Sequence, residues 1–265
     1  MKITNPQKIQ NKKLIVFDLD GTLAKTKAPM DSEMSKLMTN LLEKKQVAVI
    51  GGGKYSLFQG QLLKQLKASK DLLKHLYLFP TTATSFYRYN NGWKNVYYHE
   101  LSKDEKSRIF KAFQAAFEKL NYKHPKKIYG EVIEDRGTQV TFSALGQDIV
   151  SVLGKEKGVK MKEQWLKDNK PLKMKITKLV AQRIPDLEVH AAGFTSIDVT
   201  KKGIDKAYGL KQIQKYLKIK IKNMLFIGDA IFPGGNDYAI VRTGVDYVPV
   251  EGPEQAKKII REILK

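Results

Sequence analysis

The sequence predicts an α/β fold in which a discontinuous parallel-sheet core is interrupted by an inserted α+β segment. Short apolar runs alternate with helical patterns at both ends of the chain, which is typical of βαβ units. The middle differs, because it contains an aromatic hairpin, a long amphipathic helix and runs with the two-residue alternation of half-buried strands. We therefore assign residues 1–88 and 200–265 to the core and residues 89–199 to the insertion.

The first part of the core alternates strands and helices. Each predicted strand is a short apolar run, and the first predicted helix has apolar residues at spacings of three and four. The second strand breaks at Gly51-Gly52-Gly53, and the third is closed by Pro80. The elements predicted here are a strand at 14–17, a helix at 34–42, a strand at 47–50, a helix at 56–68 and a strand at 76–79.

The middle of the chain predicts a different architecture. An aromatic hairpin over residues 85–98 turns at Asn90-Asn91-Gly92, and SKDE at 102–105 is a capping box for a helix over 102–120. Residues 130–145 alternate in the β manner, and residues 188–199 predict one further strand. After residue 200 the parallel pattern returns, with a helix at 205–217, a strand at 223–227, a strand at 247–250 and a helix at 253–264.

The charge of the chain points to anionic partners. The 265 residues carry a formal net charge of +21, and lysine supplies most of the excess. Nucleic acid and phosphorylated metabolites are the two candidate partner classes. Sequence-reading DNA proteins rely on arginine, and the lysines here are spread along the whole chain, as on a solvated surface. Nucleic-acid binding is therefore kept only as a remote alternative.

The composition and the length of the apolar runs also bear on the cellular location to be expected. Cysteine is absent, which excludes disulfides and thiolate metal sites. No apolar run approaches the ~20 residues that span a bilayer, so we expect no membrane partner. The polar start lacks the apolar segment of a signal peptide. We expect a cytoplasmic protein.

Three signals stand at the carboxyl ends of predicted core strands. They are the paired acids Asp18 and Asp20, the glycines 51–53, and Asp229. Ligands of open α/β sheets bind in the crevice at these strand ends. Carboxylates brought together there suit Mg²⁺, a hard cation that prefers oxygen ligands and also holds substrate phosphate.

Two simpler motif interpretations fail on spacing. The DLDG sequence is similar to the start of a calcium loop, but the twelfth position counted from Asp18 is Pro29 rather than glutamate. GGGK at 51–54 is similar to a P-loop, but Lys54 precedes Tyr55 and Ala48 occupies the first glycine position. A turn with a purely structural role could explain any one of the three signals taken alone. It explains poorly why all three stand at the carboxyl ends of core strands.

The motifs resemble those of the haloacid dehalogenase-like superfamily of aspartyl-phosphate enzymes. The similarity is to the subgroup with an α+β cap, which includes eukaryotic phosphomannomutases and many bacterial sugar phosphatases. DLDGT at 18–22 is similar to its first motif and VIGGG at 49–53 takes the place of the second. Lys206 takes the place of the third, and GDAIFPGGND at 228–237 is similar to the fourth. The resemblance implies a Rossmann-like core and an inserted cap domain for substrate specificity.

The resemblance implies a role for each acid. Asp18 would be the nucleophile that forms an aspartyl-phosphate, and Asp20 the general acid and base. Mg²⁺ would be held by Asp18, by the backbone carbonyl of Asp20, and by Asp229, with Asp237 supporting or joining that site. Lys206 would neutralise the phosphoryl oxygens and steady Asp18, although a surface lysine is the usual interpretation in so basic a chain.

The phosphate cradle is also implied by the resemblance. Thr22 and the backbone N–H groups around Gly52 and Gly53 would bind phosphate oxygens, together with Lys206. Much of the superfamily has a serine or threonine hydroxyl in its second motif. Gly53 has no hydroxyl, so the amides would act alone there.

The insertion resembles the cap of phosphomannomutase. VIEDRG at 132–137 is similar to the segment that carries a sugar-binding arginine, and Arg136 falls on that arginine. Ser196 and Asp198 match the serine and aspartate that grip sugar hydroxyls. The alternative for these two residues is an alternating strand with its polar side chains in solvent.

The departures from the mutase pattern concern arginines. Gln147 stands at the position of a cap arginine, a third arginine's position falls near Gly154, and Lys27 replaces an arginine of the loop after the first motif. Mutases need such arginines to clamp the distal phosphate of a bisphosphorylated sugar. We therefore expect a phosphatase acting on a small phosphorylated metabolite, with a sugar phosphate favoured. A phosphosugar mutase is the alternative, and a homodimer through the cap is possible as in the mutases.

Overall fold

The computed structural model describes residue 2, residues 6–26 and residues 28–265. The chain divides into two compact units. The first comprises Met1–Tyr98 and Asp205–Lys265, and the second comprises His99–Ile204. Residues 89–98, which the sequence analysis assigned to the insertion, belong to the first unit because their strand pairs with the strand before it.

The first unit contains a seven-stranded sheet. Its strands are β1 (Leu14–Asp18), β2 (Gln46–Ile50), β3 (Leu76–Phe79), β4 (Ser85–Tyr89), β5 (Trp93–Tyr98), β10 (Met224–Gly228) and β11 (Asp246–Pro249). The spatial order is β11-β10-β1-β2-β3-β4-β5. The first five strands of that order run parallel, and β4 and β5 add an antiparallel hairpin at one edge. The predicted α/β class with a parallel core is confirmed.

Helices cover both faces of this sheet. Alternate residues of β1 serve the two sides, with Ile15 and Phe17 in one apolar cluster and Leu14 and Val16 in the other. All four are fully buried, which explains why the strand appears in the sequence as a continuous apolar run. The helices of this unit are Pro6–Gln10, Ser32–Lys44, Tyr55–Phe58, Lys70–Leu73, Lys206–Leu217 and Pro253–Leu264, with 3₁₀ turns at Ile221–Asn223 and Tyr238–Thr243.

The helix predicted at 56–68 is shorter than expected. An α-helical turn at Tyr55–Phe58 passes into a π-helical turn at Gln59–Leu63, and no helix continues to residue 68. The pattern of apolar residues could not distinguish the two turn types. Gln61 lies in the π turn.

The second unit is an antiparallel sheet with helices on one face. Its strands are β6 (Ile133–Asp135), β7 (Val140–Ser143), β8 (Leu187–Ala192) and β9 (Ser196–Lys201), in the order β6-β7-β9-β8. Its helices are Lys103–Lys119, Ile149–Leu153 and Lys155–Arg183. The predicted single strand at 188–199 is wrong. It is a hairpin that turns at residues 193–195, where Gly193 adopts a φ of +43°.

The long helix Lys155–Arg183 was missed by the sequence analysis. It contains Gly158 and Pro171, and both residue types argue against a continuous helix when only the sequence is considered. The structure gives Gly158 a packing role, since a Cβ there would lie 2.8 Å from the Cα of Val150 in the preceding helix. Within the described residues, none of the helices has the length and apolarity to cross a membrane.

Candidate active site

Asp18 and Lys206 meet at the carboxyl end of the parallel sheet. Asp18 is the last residue of β1, and Lys206 begins the helix Lys206–Leu217, whose N-cap Asp205 accepts a hydrogen bond from the Tyr208 amide. The Lys206 Nζ atom donates to Asp18 Oδ1 at 2.5 Å. It also donates to Asp237, and all three side chains are almost fully buried.

Asp229 completes the acidic group, and two glycines make room for carboxylates of this group. Asp229 follows Gly228 at the end of β10, which neighbours β1. Gly21 has a φ of +88°, and a Cβ on it would lie 2.2 Å from Asp229 Oδ2. A Cβ on Gly228 would lie 2.4 Å from Asp237 Oδ2. Any larger residue at either position would displace a carboxylate. The absence of a Cβ atom at these two glycines is therefore required for the observed arrangement of carboxylates.

The electrostatics reflect crowded carboxylates around one ammonium group. Burial raises the pKa of Asp18, and the charges of Asp237 and Asp229 add to the increase while Lys206 opposes it. Asp229 is an exposed residue. The protein nevertheless desolvates its carboxylate, and together with the charge of Asp237 this raises its pKa to about 6. Burial alone would lower the pKa of Lys206, but the negative charges of Asp18 and Asp237 raise it above the ordinary value.

The acidic group fits a divalent cation. Asp18, Asp229 and Asp237 each offer a carboxylate oxygen, and these oxygens lie within 4.8 Å of one another. Hard oxygen donors of this kind suit Mg²⁺. Desolvation and the neighbouring carboxylates raise the pKa values of Asp18 and Asp229, and a bound cation would offset this cost of their charged forms.

The glycine loop 51–53 lies beside Asp18. Ile50, the last residue of β2, is paired in register with Asp18, so the loop starts at the same sheet edge. Its carbonyl groups are held by a neighbouring turn, since the amides of Thr81 and Thr82 donate to Gly53 O (2.8 Å) and Gly51 O (2.9 Å). Thr81, Thr82 and Ala83 have φ values of 47°, 58° and 66°, a left-handed run that costs about 1 kcal/mol or more per residue.

Thr22 brings a buried hydroxyl to the same edge. The residue is fully buried, and its Oγ1 atom has no hydrogen-bond partner within the described ranges. A buried hydroxyl without a partner is costly. An incoming oxyanion would satisfy it, so this atom supports the phosphate-binding role expected of Thr22.

Asp20 has a partner that the sequence analysis did not identify. Gln61 donates from Nε2 to Asp20 Oδ1 at 3.0 Å. The loop that carries Asp20 is closed by the hydrogen bond from the Gly21 amide to the Ala24 carbonyl, at 2.7 Å. Nothing in the spacing of glutamines in the sequence distinguishes Gln61 from Gln59 or Gln65.

The second unit gathers a polar network on its sheet. Arg136 donates from Nε to Glu134 at 2.7 Å and from Nη2 to Gln147 Oε1 at 3.1 Å. Gln147 Nε2 in turn donates to the Thr141 carbonyl at 3.1 Å, and Thr141 Oγ1 donates to Asp198 Oδ1 at 2.8 Å. The network thus links three of the expected cap residues: Arg136, Gln147 and Asp198.

The electrostatics of the network centre on Asp198. Burial raises the pKa of Asp198, although Arg136 and the hydrogen bond from Thr141 oppose the increase. Ser196 lies two residues before Asp198 on β9 and therefore on the same face of the sheet. Lys173 was missed by the sequence analysis. Burial lowers its pKa to about 8, and its Nζ donates to the carbonyls of Ala192 and Gly193.

Of the residues expected to serve the core site, Asp18, Asp20, Thr22, Lys206, Asp229 and Asp237 lie at or next to one sheet edge, together with Gly52 and Gly53. Lys27 lies outside the described residues.

The comparisons with known proteins agree with this geometry. A family model described as haloacid dehalogenase-like hydrolase matches residues 15–244. A phosphomannomutase of Encephalitozoon cuniculi is 28% identical over 266 residues, which cover 96% of this chain and 94% of that protein.

Two solved structures illustrate the shared fold. An IMP-nucleotidase of Plasmodium falciparum superposes with a TM-score of 0.70 at 17% identity, over 98% of this chain and 71% of that one. A trehalose-6-phosphate phosphatase of Aspergillus fumigatus has a TM-score of 0.55 at 16% identity, over 99% and 98% of the two chains. Because the family model covers most of the chain, this protein belongs to the haloacid dehalogenase-like hydrolases, a family of enzymes.

Proposed function

We propose that this enzyme is a Mg²⁺-dependent phosphohydrolase that works through an aspartyl-phosphate on a small phosphorylated metabolite, with a sugar phosphate favoured. The observation that carries the proposal is the buried contact between Lys206 and Asp18 at the carboxyl end of the parallel sheet. This contact holds one carboxylate oxygen of the proposed nucleophile. A second support is the buried Thr22 hydroxyl, which has no partner among the described residues and which an oxyanion would satisfy.

The reaction has two steps with balanced atoms. A carboxylate oxygen of Asp18 attacks phosphorus, the bond between phosphorus and the leaving oxygen breaks, and Asp20 gives its proton to that oxygen. Water then attacks phosphorus and gives its proton to Asp20, and the bond between phosphorus and Asp18 breaks. Phosphate leaves, and both carboxyl groups return to their first state.

Each remaining residue has a defined task in these steps. Lys206 holds Asp18 Oδ1 and balances the charge that accumulates on the phosphoryl oxygens. Thr22 and the amides of Gly52 and Gly53 donate to those oxygens. Asp18, Asp229 and Asp237, with the carbonyl of Asp20, would hold Mg²⁺. When bound, the cation compensates the crowded carboxylates and adds positive charge toward the phosphate.

The polar network of the second unit, the proposed cap, is expected to choose the leaving group. Arg136, Gln147, Ser196 and Asp198 can donate to and accept from sugar hydroxyls. The network favours hydrolysis over mutase activity, because the Arg136 charge is already paired with Glu134 and a neutral glutamine stands beside it. A second phosphate would need more positive charge than this arrangement offers.

A mutase remains the second candidate, supported by the similarity to phosphomannomutase along 96% of the chain. The deciding experiment is a screen of phosphorylated metabolites with Mg²⁺, scored for both phosphate release and isomerisation. It includes mannose 1-phosphate and glucose 1-phosphate with a bisphosphate activator. We expect free phosphate to form faster than the 6-phosphate. Faster formation of the 6-phosphate would reverse the assignment, and activity that persists in Asp18→Asn would remove both.

A further inference from the structure

Gln61 is placed by an unusual backbone element next to the glycine loop. It lies in the π-helical turn Gln59–Leu63 and is only 4% exposed. Its carbonyl oxygen accepts a hydrogen bond from the Met30 amide at 2.9 Å, which anchors the turn. Single π turns are rare and often occur at functional sites. The buried side chain in this turn is therefore a candidate for a functional role.

The side-chain amide of Gln61 uses one half of its hydrogen-bonding capacity on Asp20. Its Nε2 donates to Asp20 Oδ1 at 3.0 Å. Its Oε1 is buried and has no hydrogen-bond partner in the part of the chain that the structure describes. A glutamine that only stabilised the fold would have its acceptor satisfied, because a buried carbonyl without a partner costs free energy.

We propose that Gln61 is a positioning residue that aims the carboxyl group of Asp20 at the leaving oxygen and at the attacking water. The inference rests on the proposed function, in which Asp20 transfers the proton in both steps. A carboxylate can only accept, so it pairs with Nε2 of the amide. A carboxylic acid also has an O–H group to donate, and the same amide offers Oε1 as its acceptor after it turns about its last torsion. One residue can therefore hold Asp20 both with and without its proton.

The position of Asp20 gives such a partner an orienting role. Its backbone lies in a loop fixed by the hydrogen bonds from the Gly21 amide to Ala24 and from the Ala24 amide to Leu19. The carboxyl group is half-exposed, so its direction is set by what it contacts. Small errors in the placement of a reacting group are costly in rate. Loss of Gln61 should therefore affect proton transfer before it affects substrate binding.

The test compares two aryl phosphates that differ in their need for a proton. The leaving group of p-nitrophenyl phosphate departs as a stable anion, whereas that of phenyl phosphate needs protonation. Gln61→Met removes the amide at similar length. Its matched control is Gln65→Met, since Gln65 is half-buried and donates to the Gly60 carbonyl rather than to Asp20. First-turnover and steady-state rates are measured with Mg²⁺ for both substrates.

We expect Gln61→Met to keep the first-turnover release of p-nitrophenol within about threefold, while its first turnover on phenyl phosphate falls about tenfold or more. Steady-state kcat should fall on both substrates, because water activation also needs Asp20. On p-nitrophenyl phosphate KM should fall together with kcat, so that kcat/KM stays within about threefold, whereas kcat/KM for phenyl phosphate should fall about tenfold or more. Gln65→Met should match the wild-type enzyme. Equal first-turnover losses on the two substrates, or no loss, would overturn the inference.

A second variant guards against a folding defect. Gln61→Glu keeps the shape but sets a carboxylate against Asp20, and it should show the same dependence on the leaving group. A wild-type ratio of the two first-turnover rates in Gln61→Glu would also overturn the inference. The proposed function fails separately: the wild-type enzyme would hydrolyse neither aryl phosphate, or Asp18→Asn would remain active.

Discussion

Lys206 donates to Asp18 across 188 positions of sequence, and both side chains are buried. The same ammonium group also serves Asp237, so one cation compensates two buried carboxylates. Removing one partner of a buried charge pair is strongly destabilising, because the other charge is left without compensation. If Asp18 is the nucleophile, as proposed, its placement and the stability of the fold depend on the same Lys206 Nζ atom.

Lys206→Met should consequently cost both activity and stability. We expect hydrolysis of p-nitrophenyl phosphate to be lost and the free energy of unfolding to fall by about 3–5 kcal/mol, as measured by urea denaturation. Lys257→Met is the matched control, because Lys257 is also buried but its three carboxylate partners are largely exposed. The decrease in the free energy of unfolding caused by Lys257→Met should be clearly smaller, since water can solvate the carboxylates that lose their partner. Equal losses would contradict the account of the buried pair.

Asp18→Asn should abolish the covalent step, and the chain should remain folded because Lys206 still donates to the carboxylate of Asp237. An amide cannot attack phosphorus as a carboxylate does, so we expect hydrolysis to fall by about a thousandfold or more. Acid-quench trapping with radiolabelled substrate checks the mechanism directly, because the wild-type protein should retain label and the variant should not. Circular dichroism controls for folding. Labelled Asp18→Asn protein would show that another residue is the nucleophile.

Gly21→Ala should lower the affinity for Mg²⁺ in addition to the backbone penalty that it shares with its control. The new Cβ would lie 2.2 Å from Asp229 Oδ2 and would push that carboxylate away from its neighbours. Gly244→Ala is the control, since Gly244 has a similar φ of +74° but nothing within 4 Å of its Cβ position. Both variants bear a backbone penalty of about 1–2 kcal/mol. Only Gly21→Ala should lose affinity for Mg²⁺ in calorimetry, and comparable affinities in both would refute the clash.

Thermal stabilisation by Mg²⁺ should depend on pH. The pKa of Asp229 is about 6 in the folded chain against 3.8 ordinarily, so metal-free folded protein binds a proton in that window that the unfolded chain does not. Its stability should therefore decrease as pH rises from about 4 to about 6. Above this pH range, bound Mg²⁺ should restore the lost stability, because protons no longer compete with the cation for the Asp229 carboxylate.

Differential scanning fluorimetry with and without Mg²⁺ measures this effect. The increase in melting temperature should be larger at pH 7.5 than at pH 5. Asp229→Asn should remove most of the increase and should be at least as stable as the wild type without metal at neutral pH. A Mg²⁺ effect that is independent of pH would argue against binding at these carboxylates.

Arg136→Met should separate substrate choice from chemistry. The substitution removes the charge-assisted contacts to Glu134 and Gln147 and leaves the first unit unchanged. We expect kcat/KM for the best phosphorylated sugar of the screen to fall tenfold or more, and that for p-nitrophenyl phosphate to change little. Arg108→Met is the control, because Arg108 also belongs to the second unit but pairs with exposed Asp186. A parallel loss on both substrates would point to damage of the fold.

The parallel core and its acidic edge could be predicted from sequence for a simple physical reason. Buried parallel strands need continuous apolar runs, and polar residues directly after them stand out, as Asp18 and Asp229 do. Strand ends in such sheets converge, so residues distant in sequence could be assigned to one site. The family motifs then supplied Lys206, which composition alone would have placed on the surface.

The remaining features left no trace in residue spacing. The left-handed turn at Thr81–Ala83 contains neither glycine nor asparagine, the residues that usually announce such a conformation. The contact between Gln61 and Asp20 depends on a π turn that has the same apolar pattern as an α-helix. The hairpin at 187–201 was merged into one strand because β-type alternation continues up to its turn.

The Thr81–Ala83 turn has a thermodynamic consequence for the phosphate binding proposed at the glycine loop. The amides of Thr81 and Thr82 donate to the carbonyls of Gly53 and Gly51. These hydrogen bonds form when the chain folds and need no ligand. The conformational entropy of the glycine loop is then lost during folding rather than during binding. Inorganic phosphate and its analogue vanadate should meet a rigid, preorganised receptor, and ordering of this loop should contribute little to the entropy of association.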